Sequence, residues 1–257
     1  MSGAKSLKRQ GLVHLVLCLV FSGICFGDPA TKAHQGLAGA NQQYEKRWKG
    51  VQERFKNDAE FMTLLRREKK RREHFLNFHP FDPNNAASID KRAILMRDNS
   101  KWLNGMLVNP ATPTDQDGVY WDGMGNSLRI KKIKGRHYFA IRKYESSHGH
   151  QGQVAGLLGV WKNGKTSFTG KFGSEQAAGT IQFELRNGLL AVTTSGSIRS
   201  IGGPRASFTS TYSRVSALKE KDHRLIKEGL IYNGPHTDYD GFTVPETTEY
   251  NDDEYDY

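Results

Sequence analysis

The run Arg66-Arg67-Glu68-Lys69-Lys70-Arg71-Arg72 is the densest cluster of charge in the chain. Ammonium and guanidinium groups held this close suit phosphates, carboxylates and other polyanions, the guanidinium because it can grip two oxygens at once. Arg66, Arg67, Lys69, Lys70, Arg71 and Arg72 are therefore the candidate anion-binding residues. Nucleic-acid binding would also want aromatic platforms beside the cations, and Phe75 and Phe78 read more easily as core. The segment Ser146-Ser147-His148-Gly149-His150 is the one histidine-rich spot. His148 and His150, two positions apart, can share a metal, but a zinc site needs three or four protein ligands and none completes this set. Ser146 and Ser147 lack the sharp strand-to-helix turn of an activated serine. Gly202-Gly203-Pro204 is too short to cradle phosphate and carries no following lysine. No catalytic residue, metal or other cofactor is assigned. At the far end, Asp252, Asp253, Glu254 and Asp256 form an acidic tail suited to docking on a basic surface, in this chain or another.

These residues sit in an unevenly charged chain. The formal net charge is +10, and Lys5, Lys8 and Arg9 carry +3 of it. From Glu228 onward there are nine acidic residues and no Lys or Arg, so residues 28–227 carry +16. A strongly basic body favours an anionic partner. The three N-terminal cations precede an apolar run from Leu12 to Phe26, and Gly27 then meets Asp28-Pro29. Charged, apolar and small-residue regions in that order make a secretory signal peptide over residues 1–27. The run is shorter than the ~20 residues of a membrane-spanning helix, so no transmembrane segment is expected after cleavage. Cys18 and Cys25, the only cysteines, lie inside it. The exported chain, periplasmic or secreted, would depend on burial and strand pairing with no disulfide.

The elements that position the candidates fall into two regions. Residues 28–107 read as helical. Tyr44, Trp48, Val51, Phe55, Met62 and Leu65 form one apolar stripe at helical spacing, which predicts a long helix over 41–76. His79-Pro80-Phe81-Asp82-Pro83 stops it, and a second helix is expected from about Ala86 to Asn104. Together they predict an antiparallel helical hairpin. Residues 108–117, with two prolines and small polar side chains, read as a linker. Between 118 and 215 the period drops to two, and strands are expected at Val119–Trp121, Ser127–Ile133, His137–Lys143, Gln153–Trp161, Thr166–Phe172, Thr180–Leu185, Leu189–Thr194 and Ala206–Tyr212. Asn163-Gly164 and Asn187-Gly188 are strong hairpin turns, since both residues tolerate positive φ. The fold class is thus α+β: a helical hairpin, then an antiparallel β-barrel or sandwich of about eight strands. Over 216–257 a short helix from Leu218 to Leu230 precedes the acidic tail, which has too few aliphatic residues to offset its ordering entropy and is expected to be disordered.

The order Gly118-Val-Tyr, Leu128-Arg-Ile, Tyr138-Phe-Ala-Ile, Gly152-Gln-Val-Ala-Gly156, Asn163-Gly-Lys-Thr-Ser-Phe, Ile181-Gln-Phe-Glu-Leu, Gly188-Leu-Leu-Ala-Val and Ala206-Ser-Phe-Thr-Ser-Thr-Tyr212 resembles the small C-terminal β-domain of exported bacterial proteins similar to lysozyme-inhibitor lipoproteins. Arg92 to Leu103 loosely resembles the helical part that precedes such domains. The resemblance implies a small β-fold and a non-enzymatic, inhibitor-type binding role. Many such proteins carry cysteines in both halves, which this chain lacks after cleavage, and no inhibitory motif is matched.

These readings converge on an exported, non-enzymatic binding protein whose partner is a protein or an anionic envelope polymer. A polyanion-binding protein using the basic helix, with nucleic acid the less favoured ligand, is the first alternative. A hydrolase or metal-dependent enzyme using the His148/His150 loop is the second.

Overall fold

The structure is a computed structural model and describes residues 28–145, 150–172, 177–196 and 208–232. Among these residues three helices come first: α1 (Pro29–Phe55), α2 (Ala59–Phe78) and α3 (Ala86–Val108). Pro29 opens α1 where its missing N–H costs nothing. Asp58 caps α2 by accepting from Phe61 N at 3.0 Å, and Asn85 caps α3 by accepting from Ser88 N at 3.2 Å.

The single helix expected over 41–76 is therefore two, broken at Lys56–Asp58. The break has a partner: the Asp58 carboxylate also takes Arg186 at 2.9 and 3.2 Å and Asn187 at 3.0 Å from the β-region. Capping α2 and receiving these two donors fixes the corner. The expected antiparallel hairpin is likewise replaced. Arg47 donates to Ser100 Oγ at 2.6 Å and Arg54 to the Leu107 carbonyl at 2.7 Å, so α1 runs parallel to α3. Tyr44, Trp48 and Val51 of α1, Phe61, Met62 and Leu65 of α2, and Trp102, Leu103 and Met106 of α3 share one core with Leu189 from the β-region.

Eight strands follow: β1 (Gly118–Trp121), β2 (Ser127–Ile133), β3 (Arg136–Glu145), β4 (His150–Leu157), β5 (Lys165–Phe172), β6 (Ala177–Arg186), β7 (Leu189–Gly196) and β8 (Ser210–Ser216). All pairs are antiparallel, in the order β4-β3-β2-β1-β8-β7-β6-β5. Since β1 pairs with β8, the sheet is an up-and-down barrel, closed except between β4 and β5. Those two strands meet at the foot, where Gly159 N donates to Ser167 O at 2.9 Å. The turns form as their residues require: φ is 50° and 74° at Asn163-Gly164 and 51° and 79° at Asn187-Gly188. The last strand lies later than expected, at Ser210–Ser216 instead of Ala206–Tyr212.

Tyr120, Ile130, Phe139, Phe183, Leu190 and Tyr212 fill the lumen, with Phe168 packed against them. Phe139 makes edge contacts with Phe168 and Phe183, each at 5.1 Å between ring centroids. At the foot, the expected linker wraps a buried guanidinium. Arg214 donates to Asp115 Oδ2 at 2.8 Å, Asp117 O at 3.0 Å, Pro110 O at 3.0 Å and Asn109 Oδ1 at 3.0 Å. A fourth helix, α4 (Glu220–Tyr232), lays Ile226 on Tyr138, Ala140 and Ala155 of the barrel's outer face. Asp222 anchors it, accepting from Arg129 Nε at 2.7 Å and Lys219 N at 2.9 Å.

Candidate functional site at the barrel mouth

The end of the barrel opposite Arg214 collects charge. The last β1–β8 pair is Trp121 with Ser213. Beyond it, the β8 backbone at Ser210 to Tyr212 has lost its neighbour on that side, and side chains from the helices replace the strand. Thr211 O accepts from Trp102 Nε1 at 3.2 Å and from Arg72 Nη2 at 3.2 Å, while Thr211 Oγ1 donates to Glu68 Oε2 at 2.8 Å. Burying a carbonyl without a donor costs roughly 1–3 kcal/mol, and these contacts remove that penalty.

Arg72 is 1% exposed and stacks on the Trp102 ring, its guanidinium carbon 3.7 Å from the centroid. Burial pulls its pKa down to about 10, with Asp122 and Glu68 opposing the shift, so the group stays charged at neutral pH. Arg71 bridges helix and lumen, 2.8 Å from Glu68 Oε2 and 3.0 Å from Ser210 Oγ. Ser210 in turn donates to Asp122 Oδ2 at 3.0 Å.

Asp122 organises the rim. It follows β1 on the inward face that Tyr120 occupies, and it is fully buried. Its Oδ1 accepts from Met124 N at 2.8 Å and Asn126 N at 2.9 Å, closing the Gly123–Asn126 turn, while Oδ2 accepts from the Asn126 side chain. Two buried carboxylates, Glu68 and Asp122, thus face the buried Arg72 and the partly exposed Arg71, so the charges of the cluster balance.

Three polar atoms in this cluster are left over: the Nε atoms of Arg71 and Arg72, whose guanidiniums bond through their other nitrogens, and the Tyr212 hydroxyl, which has no other bond. The Tyr212 hydroxyl is buried and has no hydrogen-bond partner among the described residues. Burial raises its pKa well above the ordinary tyrosine value, and Asp122 raises it further while Arg71 and Arg72 lower it. The hydroxyl therefore sits in the field of the rim charges yet bonds to none of them. Gly152 alternates with Val154, Gly170 with Phe168, and Gly179 with Ile181, so these three glycines share the inward face of β4, β5 and β6. Gly170 and Gly179 lie directly opposite one another. Aromatic rings fill the lower lumen, and Gly152, Gly170, Gly179, Thr194, Ser210 and Asp122 are among the inward positions nearer the mouth.

The six cations singled out in the sequence do not form one surface. Arg66, Arg67 and Lys70 are exposed. Lys69 lies 4.9 Å over the Trp48 ring and within 4.0 Å of Glu45 and Glu73. Arg71 and Arg72 turn inward to the network above, so Arg72 is withdrawn from any ligand on the outer helix face. His148 and the tail residues Asp252, Asp253, Glu254 and Asp256 lie outside the described residues, and His150 opens β4. Among the described residues no group of three or more His, Cys, Asp and Glu side chains could hold a metal.

Sequence reasoning missed Glu68, Asp122, Asn126, Ser210 and Tyr212. One signal was present: an aspartate at an inward strand position, immediately before Gly123-Met124-Gly125-Asn126, marks a charged turn facing the lumen. Also among the described residues, no helix is long and apolar enough to cross a membrane. No family model, no curated protein and no solved structure matches the chain.

Proposed function

We propose that this is an exported, non-enzymatic binding protein that takes its ligand into the mouth of the barrel. The observation that carries the reading is the Tyr212 hydroxyl, buried without a partner beside the charges of Asp122, Arg71 and Arg72. A hydroxyl in that position is costly in the free protein and becomes satisfied when a ligand brings an acceptor to it. Eight-stranded barrels are of a size to hold one small ligand or one inserted group. Tyr212, Ser210 and Arg71 suit an acceptor-bearing head. The ligand is a component of the cell envelope or a secreted partner. The inhibitor-like version makes that partner a cell-wall hydrolase presenting such a group.

The test compares the wild-type protein with a Ser210→Ala, Tyr212→Phe variant, each immobilised and exposed to envelope extract from its own source. Retained components are identified by mass, and their affinity is remeasured with purified material. Retention by the wild type and a loss of at least about tenfold in the variant, roughly one lost hydrogen bond to a charged or polar head, supports the reading. Equal retention by both contradicts it.

A further inference from the structure

The outer side of the helical layer carries a second surface, separate from the mouth. Lys49, Gln52, Glu53, Lys56, Ala59, Met62 and Arg66 line a groove of about 510 Å³ between α1 and α2. Its cations outnumber its one carboxylate, Glu53, which is already engaged by Lys56 at 2.6 Å. Arg67 and Lys70, both exposed, extend the positive surface along α2. Lys49, Arg66, Arg67 and Lys70 make no ion pair among the described residues, whereas Arg47, Arg54, Lys69, Arg71 and Arg72 of the same layer are bonded to the protein.

The chain itself supplies a complement. After Tyr232, residues 233–257 contain eight acidic residues, Asp238, Asp240, Glu246, Glu249, Asp252, Asp253, Glu254 and Asp256, and no Lys or Arg. We infer that the acidic end of this segment docks in the α1–α2 groove, with the carboxylates of residues 252–256 set against Lys49, Lys56, Arg66 and Arg67. The segment is long. Twenty-five residues span about 80 Å when extended and have a mean end-to-end distance of about 27 Å as a flexible chain. Tethering also places the carboxylates at an effective concentration on the order of millimolar, so weak screened ion pairs are enough to favour the contact over a free competitor.

Zero-length carbodiimide coupling of the full chain, read by peptide mass spectrometry on an equal mixture of ¹⁴N- and ¹⁵N-labelled protein, tests this. The expected products join the peptide bearing Asp252 to Asp256 to Lys49 or Lys56 within one chain. Their yield should fall about fivefold or more in 0.5 M salt, where screening acts within about 4 Å. It should fall similarly in an Arg66→Gln, Arg67→Gln variant that keeps both reporter lysines. Coupling that is absent, spread over distant lysines such as Lys162 and Lys165, mainly between chains, or insensitive to both changes overturns the inference. Retention of envelope ligand at the mouth is measured separately, so failure here leaves that reading standing or falling on its own result.

Discussion

Tyr212 and Glu68 show how differently two buried polar groups can behave. Glu68 is 5% exposed and serves three donors, Arg71, Arg72 and Thr211. Replacing it with alanine would leave Arg72 buried with one opposing carboxylate fewer. Glu68→Ala is expected to destabilise by about 3–5 kcal/mol, read from urea unfolding. A Glu68→Leu, Arg72→Met double variant, which removes the pair together, should recover most of that loss. The Tyr212 hydroxyl has no such duty in the free protein. Tyr212→Phe is therefore expected to leave the melting temperature unchanged or higher, because a buried unpartnered hydroxyl costs about 1–3 kcal/mol. Asp58 gives the pH dependence. Its carboxyl pKa is held below the usual range, first by the Phe61 N–H, with burial opposing the shift and Asn187 and Arg186 adding to it. A folded-state pKa below the unfolded value contributes stability above about pH 4 that disappears as pH falls through the folded value. Asp58→Asn keeps a capping side chain but loses the charge, so its unfolding profile should show a smaller decline below pH 4 than the wild type.

At the scale of elements, α3 reaches β8 because of a glycine. A Cβ on Gly105 would lie 2.5 Å from Arg214 O and 2.6 Å from Ser213 Oγ, so any side chain forces helix and strand apart. Ser213 Oγ donates to Trp102 O at 2.5 Å across the same contact. Gly105→Ala should destabilise by about 1–3 kcal/mol despite alanine's better helix propensity, measured by thermal unfolding. The barrel was largely legible in the sequence. Period-two alternation located the strands whose Tyr120, Ile130, Phe139, Ile181 and Val192 point inward, and the Asn187-Gly188 turn fixed the register of β6–β7 from local chemistry alone. The helices were less legible. Nothing local marks Asp58 as a break, since the partners that hold it, Arg186 and Asn187, lie about 130 positions away. The first turns of α1, with Gly36 and Gly39 in open surroundings, offer no apolar stripe to read. Strand β8 was placed early because Ala206 to Phe208 has strand-like composition, whereas pairing with Leu189 to Val192 selects Ser210 to Ser213. The mouth cluster stayed hidden for a similar reason: Glu68, Asp122 and Ser210 are brought together from three separate parts of the chain.

Over the whole molecule, helices and barrel share structure at both ends. Arg214 gathers the segment between them at the foot, and the Glu68–Arg71–Arg72 group inserts α2 where β1 stops at the mouth. A barrel that loses a strand neighbour at its rim exposes backbone donors and acceptors, and here α2 and α3 cover them. That arrangement leaves one hydroxyl aimed at the rim charges with nothing to bond. The account rests on its being kept for a ligand. The most direct measurement pairs thermal unfolding and ligand affinity on Tyr212→Phe alone, using the envelope component retained by the wild-type protein. The account predicts a melting temperature equal to or above that of the wild type, together with an affinity lower by about tenfold, the effect of one hydrogen bond to a polar head. An affinity equal to that of the wild type would contradict it.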